Sequence, residues 1–231
     1  MRKLAAGLCA AVSMISVAAA ADLPRPVYKA PAVVPVPVFS WTGFYIGLNA
    51  GYGWGSGDGT ITEGILGSGP ISGKSSGFLG GGQLGYNWQY GPVVFGIETD
   101  FQGTTAKGTV TATTPAYSMV GTEKEPWFGT IRGRLGYAFD RTMIYATGGG
   151  LYGQSKLTGT DTAVGAFSNS ATYWTWTVGG GIEHMFVPNW SFKVEYLYAG
   201  TPDKNPSPPL TTALSGSVHA NIVRAGINYH F

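Results

Sequence analysis

Residues 218–231 read VHANIVRAGINYHF and end on an aromatic residue, Phe231. Counting back from it by twos gives Tyr229, Ile227, Ala225 and Val223 on one face, with His230, Asn228, Gly226 and Arg224 on the other. A period of two marks a strand with an apolar and a polar side. Such a strand suits a soluble core, and it equally suits a membrane barrel whose outside is lipid and whose lumen is polar. The rest of the chain decides between these.

Seven earlier segments repeat the pattern. Residues 41–55 place Phe44, Ile46, Leu48, Ala50, Tyr52 and Trp54 on one face, and 75–90 place Phe78, Leu84, Tyr86, Trp88 and Tyr90. Residues 93–107 place Val93, Phe95, Ile97 and Phe101 outward, and 127–139 place Trp127, Ile131, Leu135, Tyr137 and Phe139. In 172–187 the apolar series is Trp174, Trp176, Val178, Ile182 and Phe186; in 190–199 it is Trp190, Phe192, Val194, Tyr196 and Tyr198. The fifth segment, 143–157, contains Gly148, Gly149 and Gly150, and its facing stays open.

The connections alternate in length. Tight turns are expected at Tyr90-Gly91-Pro92, Asp140-Arg141-Thr142 and Val187-Pro188-Asn189, all rich in turn-forming residues. The other four, near 56–74, 108–125, 158–171 and 203–217, read as long loops rich in Gly, Ser, Thr and Pro. Short turns on one side and long loops on the other are how outer-membrane barrels are arranged. The pattern therefore predicts an all-β fold: an eight-stranded antiparallel up-and-down transmembrane β-barrel.

Composition agrees. Charged residues make up 11% of the chain, against about 25% in soluble domains, while glycine reaches 37 residues and aromatics 13%. Arg2 and Lys3 precede an apolar run and a stretch of alanines at 18–21, the form of a cleaved secretory signal, assigned to 1–21. Removing those two from 14 basic residues leaves 12, equal to the 12 acids, so nothing favours a nucleic-acid partner. The single cysteine, Cys9, lies within the signal, so no disulfide is expected. Residues 22–40 are proline-rich and read as an extended periplasmic arm, a spacer between signal and barrel, with contact to peptidoglycan or a periplasmic partner as the alternative. The barrel is assigned to 41–231.

With the apolar face outward, the charges of the phased strands fall inward. They are Glu98, Asp100, Arg132, Arg134, Glu183, Lys193, Glu195 and Arg224, four acids and four bases. Their distances from the turns predict that Glu98 and Asp100 meet Arg132 and Arg134, and that Glu183 meets Lys193. A charge facing lipid near the midplane would cost roughly 2–4 kcal/mol, and this arrangement avoids it. Eight strands enclose little more than side chains fill, so a charge-paired plug is the expected interior, with a narrow ion-selective pore as the alternative.

Enzymatic motifs are missing. His184, His219 and His230 are scattered, the glycine runs at 80–82 and 148–150 lack a phosphate-loop ending, and no serine–histidine spacing near the outer rim suggests a lipid hydrolase. No catalytic residue, metal or cofactor is expected.

Several phrases resemble a known family: Ala-Asp-Leu-Pro at 21–24, WTGFYIG at 41–47, GQLGYNW at 82–88, IRGRLGY at 131–137 and the terminal VRAGINYHF. Together they are similar to the small porin-family-like outer-membrane proteins of alphaproteobacteria, of the RopB and major surface-antigen type. The resemblance implies an eight-stranded barrel in the Gram-negative outer membrane, with Phe231 and Tyr229 as an assembly signal for the barrel-insertion machinery. It implies outer-membrane lipids and lipopolysaccharide as surroundings. The expected role is non-enzymatic, in envelope integrity and as a surface antigen. Alternatives are a small porin for ions or small solutes, and surface binding of hemin or a host partner through the loops.

Overall fold

The computed structural model describes residues 39–63, 67–114, 118–161, 165–200 and 212–231. The assigned signal peptide, most of the proline-rich arm and the tip of the last connection lie outside these residues.

Among the described residues every element is a strand: β1 Gly43–Glu63, β2 Gly67–Tyr90, β3 Val93–Thr104, β4 Lys107–Thr113, β5 Ser118–Phe139, β6 Thr142–Asp161, β7 Gly165–Val187, β8 Trp190–Gly200 and β9 Thr212–His230. All pairings are antiparallel, and β1 pairs with β2 on one side and β9 on the other, so the sheet closes into a ring. The nine strands fill eight places. β3 and β4 both lie between β2 and β5, interrupted only at Thr105–Ala106, so they form one broken stave.

Three sharp reversals sit where the sequence predicts them. Gly91, Asp140 and Asn189 have φ of 59°, 56° and 67°, the left-handed region that Gly, Asp and Asn enter most readily. The opposite end differs from expectation. Much of the Gly/Ser/Thr-rich stretches near 56–74, 108–125 and 158–171 is paired strand rather than loop, with Glu63 opposite Gly67 and Asp161 opposite Gly165. Each further rung adds backbone hydrogen bonds to a ladder already in register, which outweighs weak strand propensity. The barrel thus continues as tall hairpins.

The two faces separate cleanly. Leu48, Phe78, Ile97, Leu135, Ile144, Val194 and Ile227 are exposed on the outside. In β6, whose phase the sequence leaves open, Met143, Tyr145, Thr147 and Leu151 point inward and Ile144 outward. The glycine run there has a steric cause. A Cβ on Gly149 would stand 2.1 Å from the Ile131 carbonyl and 2.7 Å from Arg132 Cα. Only a glycine lets β6 approach β5 this closely at the level of Arg132.

Two aromatic belts ring the outside. Near the tight turns, Phe44 meets Tyr86 at 4.6 Å, Tyr137 meets Phe139 at 4.8 Å and Trp190 meets Tyr229 at 5.3 Å between centroids. Toward the hairpins, Trp127 meets Phe101 at 5.6 Å and Tyr152 meets Trp174 at 5.1 Å. Two such belts flanking an apolar band mark the levels of two membrane interfaces.

Candidate functional site

Inside the ring the eight charged residues predicted from the sequence form one network, none of them more than 5% exposed. Glu98 is its hub. Its carboxylate accepts from Arg132 Nη2 at 2.5 Å, Lys193 Nζ at 2.8 Å and the Tyr45 hydroxyl at 2.7 Å, with Arg134 at 3.6 Å and Arg224 at 3.7 Å. Asp100 accepts from Arg224 at 2.8 Å, Arg132 at 3.1 Å and the Thr130 hydroxyl at 2.7 Å. Glu195 takes Arg224 at 2.7 Å, Arg132 at 3.0 Å and the Tyr145 hydroxyl at 2.9 Å.

Register explains much of this. Glu98 lies directly opposite Arg132 on β5, and Glu195 directly opposite Arg224 on β9. Glu183 is likewise opposite Lys193, but the expected pair does not form as predicted. Glu183 is occupied nearer the tight turns by Arg134 at 2.7 Å, the Asn228 amide at 2.6 Å, the Ser191 hydroxyl at 2.5 Å and His230 at 3.3 Å. Lys193 instead crosses the lumen to Glu98, which its long flexible stem permits.

Neutral groups complete the network. Arg134 places its guanidinium 3.9 Å from the centre of the Tyr145 ring and donates to the Tyr45 hydroxyl at 2.8 Å. Tyr45 and Asn228 lie on inward faces legible in the sequence; Tyr145 is hidden by the ambiguous phase of its strand. An ion cluster in such surroundings persists only when nearly every charge has a partner.

Apolar layers lie on either side. At the tight-turn end Trp41, Val94, Ala138, Met143, Tyr145 and Met185 pack together, with Phe39 against Trp41. Trp41 is 1% exposed, and its indole donates to the Asp140 carbonyl at 3.3 Å. Toward the hairpins Leu79, Phe128, Leu151, Leu197, Ala199 and Ile222 form a second layer. These inward apolar residues break the alternation, and the sequence reading missed both layers.

The histidines separate. His184 is outside, bonded to Thr142 at 2.9 Å, and His230 is inside near the tight turns. His219 faces outward toward the hairpins, where its Nε2 lies 2.9 Å from Ser56 Oγ. The sequence shows no serine–histidine spacing near the outer rim, and the fold brings this pair together there. The two are 163 residues apart and are joined by the β1–β9 closure, which places Ser56 opposite His219. Among the described residues no carboxylate hydrogen-bonds this imidazole, so the third member of a hydrolytic triad is not in place. Nor, among them, could any group of three or more His, Cys, Asp or Glu hold a metal ion.

A closed antiparallel barrel with an apolar belted exterior and a polar interior is an integral outer-membrane β-barrel. Residues 7–231 match the outer membrane protein beta-barrel domain, and the chain belongs to that family. It is 40% identical over 226 residues to the 31 kDa outer-membrane immunogenic protein of Brucella melitensis, covering 93% of each chain. It is 34% identical over 240 residues to the 22 kDa outer membrane protein of Rhizobium leguminosarum, covering 100% of both. Among solved structures, Neisserial surface protein A aligns over 82% of this chain and 98% of its own, at 16% identity and a TM-score of 0.41. The protein is an outer-membrane protein.

Proposed function

We propose that this barrel is a non-enzymatic structural element of the envelope with a sealed interior, and that its hairpins form a surface antigen. The observation that carries the first part is the interior stack: a balanced ion cluster centred on Glu98, with an apolar layer on either side of it. Ions entering the lumen would have to displace charges that already pair with one another, and would first meet apolar side chains. The four carboxylates of the ion cluster, Glu98, Asp100, Glu183 and Glu195, are each committed to cationic partners, which draws them away from acid–base work. The surface role draws on the immunogenic outer-membrane relatives and on the hairpins rising beyond the outer aromatic belt.

Conductance tests the reading. The purified full chain reconstituted in planar bilayers is expected to give no reproducible unitary steps. Steps whose amplitude or ion selectivity changes in Arg132→Gln or Glu98→Gln would overturn it and establish a pore.

A further inference from the structure

Just beyond the outer aromatic belt, three lysines stand side by side on the lipid-facing surface. Lys107 on β4 pairs directly with Lys124 on β5, and Lys124 pairs directly with Lys156 on β6. All three are exposed. A fourth exposed lysine, Lys74 on β2, is diagonal to Lys107, because Lys74 pairs with Thr109 and Lys107 with Ser76. Like charges directly opposite each other in an antiparallel pair repel at a Cβ separation of about 5 Å. A run of three such positions needs a counter-charge.

Among the described residues the protein does not supply one on this face. Lys124 has a glutamate on each side in sequence, but both turn inward, Glu123 to the Ser155 hydroxyl at 2.7 Å and Glu125 to the Tyr173 hydroxyl at 3.1 Å. The ion pairs found among the described residues lie inside the barrel. The nearest outward acid is Asp58, opposite Ser72 and diagonal to Lys74, away from the Lys107–Lys124–Lys156 row.

The level of the row indicates what does supply it. On β5 the rung below Lys124 carries Trp127, opposite Gln154 and in ring contact with Phe101 and Tyr152. About 12 residues separate Trp127 from the turn at Asp140. At roughly 3.3 Å per residue and a strand tilt of roughly 40°, they rise about 30 Å, enough to cross the apolar band of about 25 Å. The lysine row therefore sits at the headgroup level of the outer leaflet, facing the lipid rather than the bulk solvent. Around Lys74 and Lys107 the surface forms a shallow polar depression with Trp54, Ser56, Ser76 and His219, which adds hydrogen-bonding groups beside the charges.

We propose that Lys107, Lys124 and Lys156, with Lys74 at one end, bind the phosphate groups of the phosphorylated glycolipid in the outer leaflet. The proposal rests on the outer-membrane assignment, and the site is distinct from the lumen network. Phosphate oxygens between adjacent lysines would convert mutual repulsion into shared attraction, and the belt below would pack against the acyl chains.

The test uses the full chain folded into phosphatidylcholine vesicles containing lipid A with brominated acyl chains, in its diphosphorylated or its dephosphorylated form. Quenching of the belt tryptophans reports how much of this lipid surrounds the barrel. The wild type is expected to prefer the diphosphorylated form at least tenfold, with the preference shrinking as salt rises. Lys107→Gln/Lys124→Gln/Lys156→Gln should lose most of that preference, and the corresponding triple arginine variant should keep it. In a zwitterionic detergent without lipid A the glutamine variant should be no less heat-stable than wild type, since it removes only repulsion. An equal preference in wild type and glutamine variant would overturn the site, as would no preference in the wild type. A chain that failed to insert, seen as loss of its heat-modifiable gel band, would overturn the barrel assignment beneath it.

Discussion

Glu98 is the side chain on which the interior depends most. It is fully buried and lies within salt-bridge distance of Arg132, Arg134, Lys193 and Arg224. Glu98→Gln keeps the volume and removes the charge, leaving an excess of buried cations; breaking a buried pair in this way costs about 3–5 kcal/mol. The expected result is a lower urea midpoint for unfolding in detergent micelles. Adding Lys193→Met should recover part of the loss, because it removes one of the stranded charges, and two independent losses that simply added would refute the coupling. A second residue belongs to the hairpins. Burial holds the Glu125 carboxyl above its ordinary value, outside the membrane-spanning part of the barrel. The folded hairpin therefore binds a proton that the unfolded chain releases between the ordinary carboxylate range and the raised value. Its stability is greatest below that window and falls as pH rises through it. Protease nicking of the hairpins should increase across this window in the wild type, and the increase should be absent in Glu125→Gln. The inward charges were legible residue by residue because each lay on a strand of clear phase. Tyr145 was not, since three glycines erase the alternation beside it.

At the scale of the element, β9 shows how far a single strand can be read. Its alternation and its aromatic end were visible, and its closure on β1 follows from having no other partner free. The register, Tyr45 opposite His230, was beyond reach, and with it the meeting of Ser56 and His219. Pairing register over such a separation depends on the shear of the whole ring, which no local pattern encodes. The tall hairpins were missed for a related reason: Gly, Ser and Thr carry weak strand signals alone, yet extend a ladder that is already aligned. In the finished barrel the Phe231 ring is 74% exposed on the outside, 5.1 Å from Tyr229, while its backbone amide donates to the Phe44 carbonyl at 3.0 Å. Phe231→Ala keeps that backbone bond. If the ring acts as an assembly signal, the variant should unfold within about 0.5 kcal/mol of wild type once refolded in detergent. In cells it should reach the outer membrane at a level well below wild type. Equal surface levels would remove the role.

At the scale of the whole molecule, the ion cluster and the two apolar layers act in series, and a path through the barrel exists only if every layer opens. Neutralising the cluster alone therefore should not create a pore. A variant with Glu98, Asp100, Arg132, Arg134, Glu183, Lys193, Glu195 and Arg224 all changed to uncharged residues of similar size still carries Trp41 and Met143 below and Phe128 and Leu197 above, all at most 5% exposed. Such a replacement of buried charges by well-packed uncharged groups need not destabilise the fold. In planar bilayers this variant is expected to stay silent. Truncating both layers in addition, with Trp41→Ala and Phe128→Ala, removes two large rings from a space that eight strands barely leave open. Only then should small unitary steps appear, and they should show little ion selectivity because the charges are gone. Steps from the charge-neutral variant alone would mean that the electrostatic layer by itself closes the lumen and that the apolar layers leak. Silence from the combined variant, with a heat-modifiable band showing that it had folded, would mean that the backbone ring itself is too narrow to conduct.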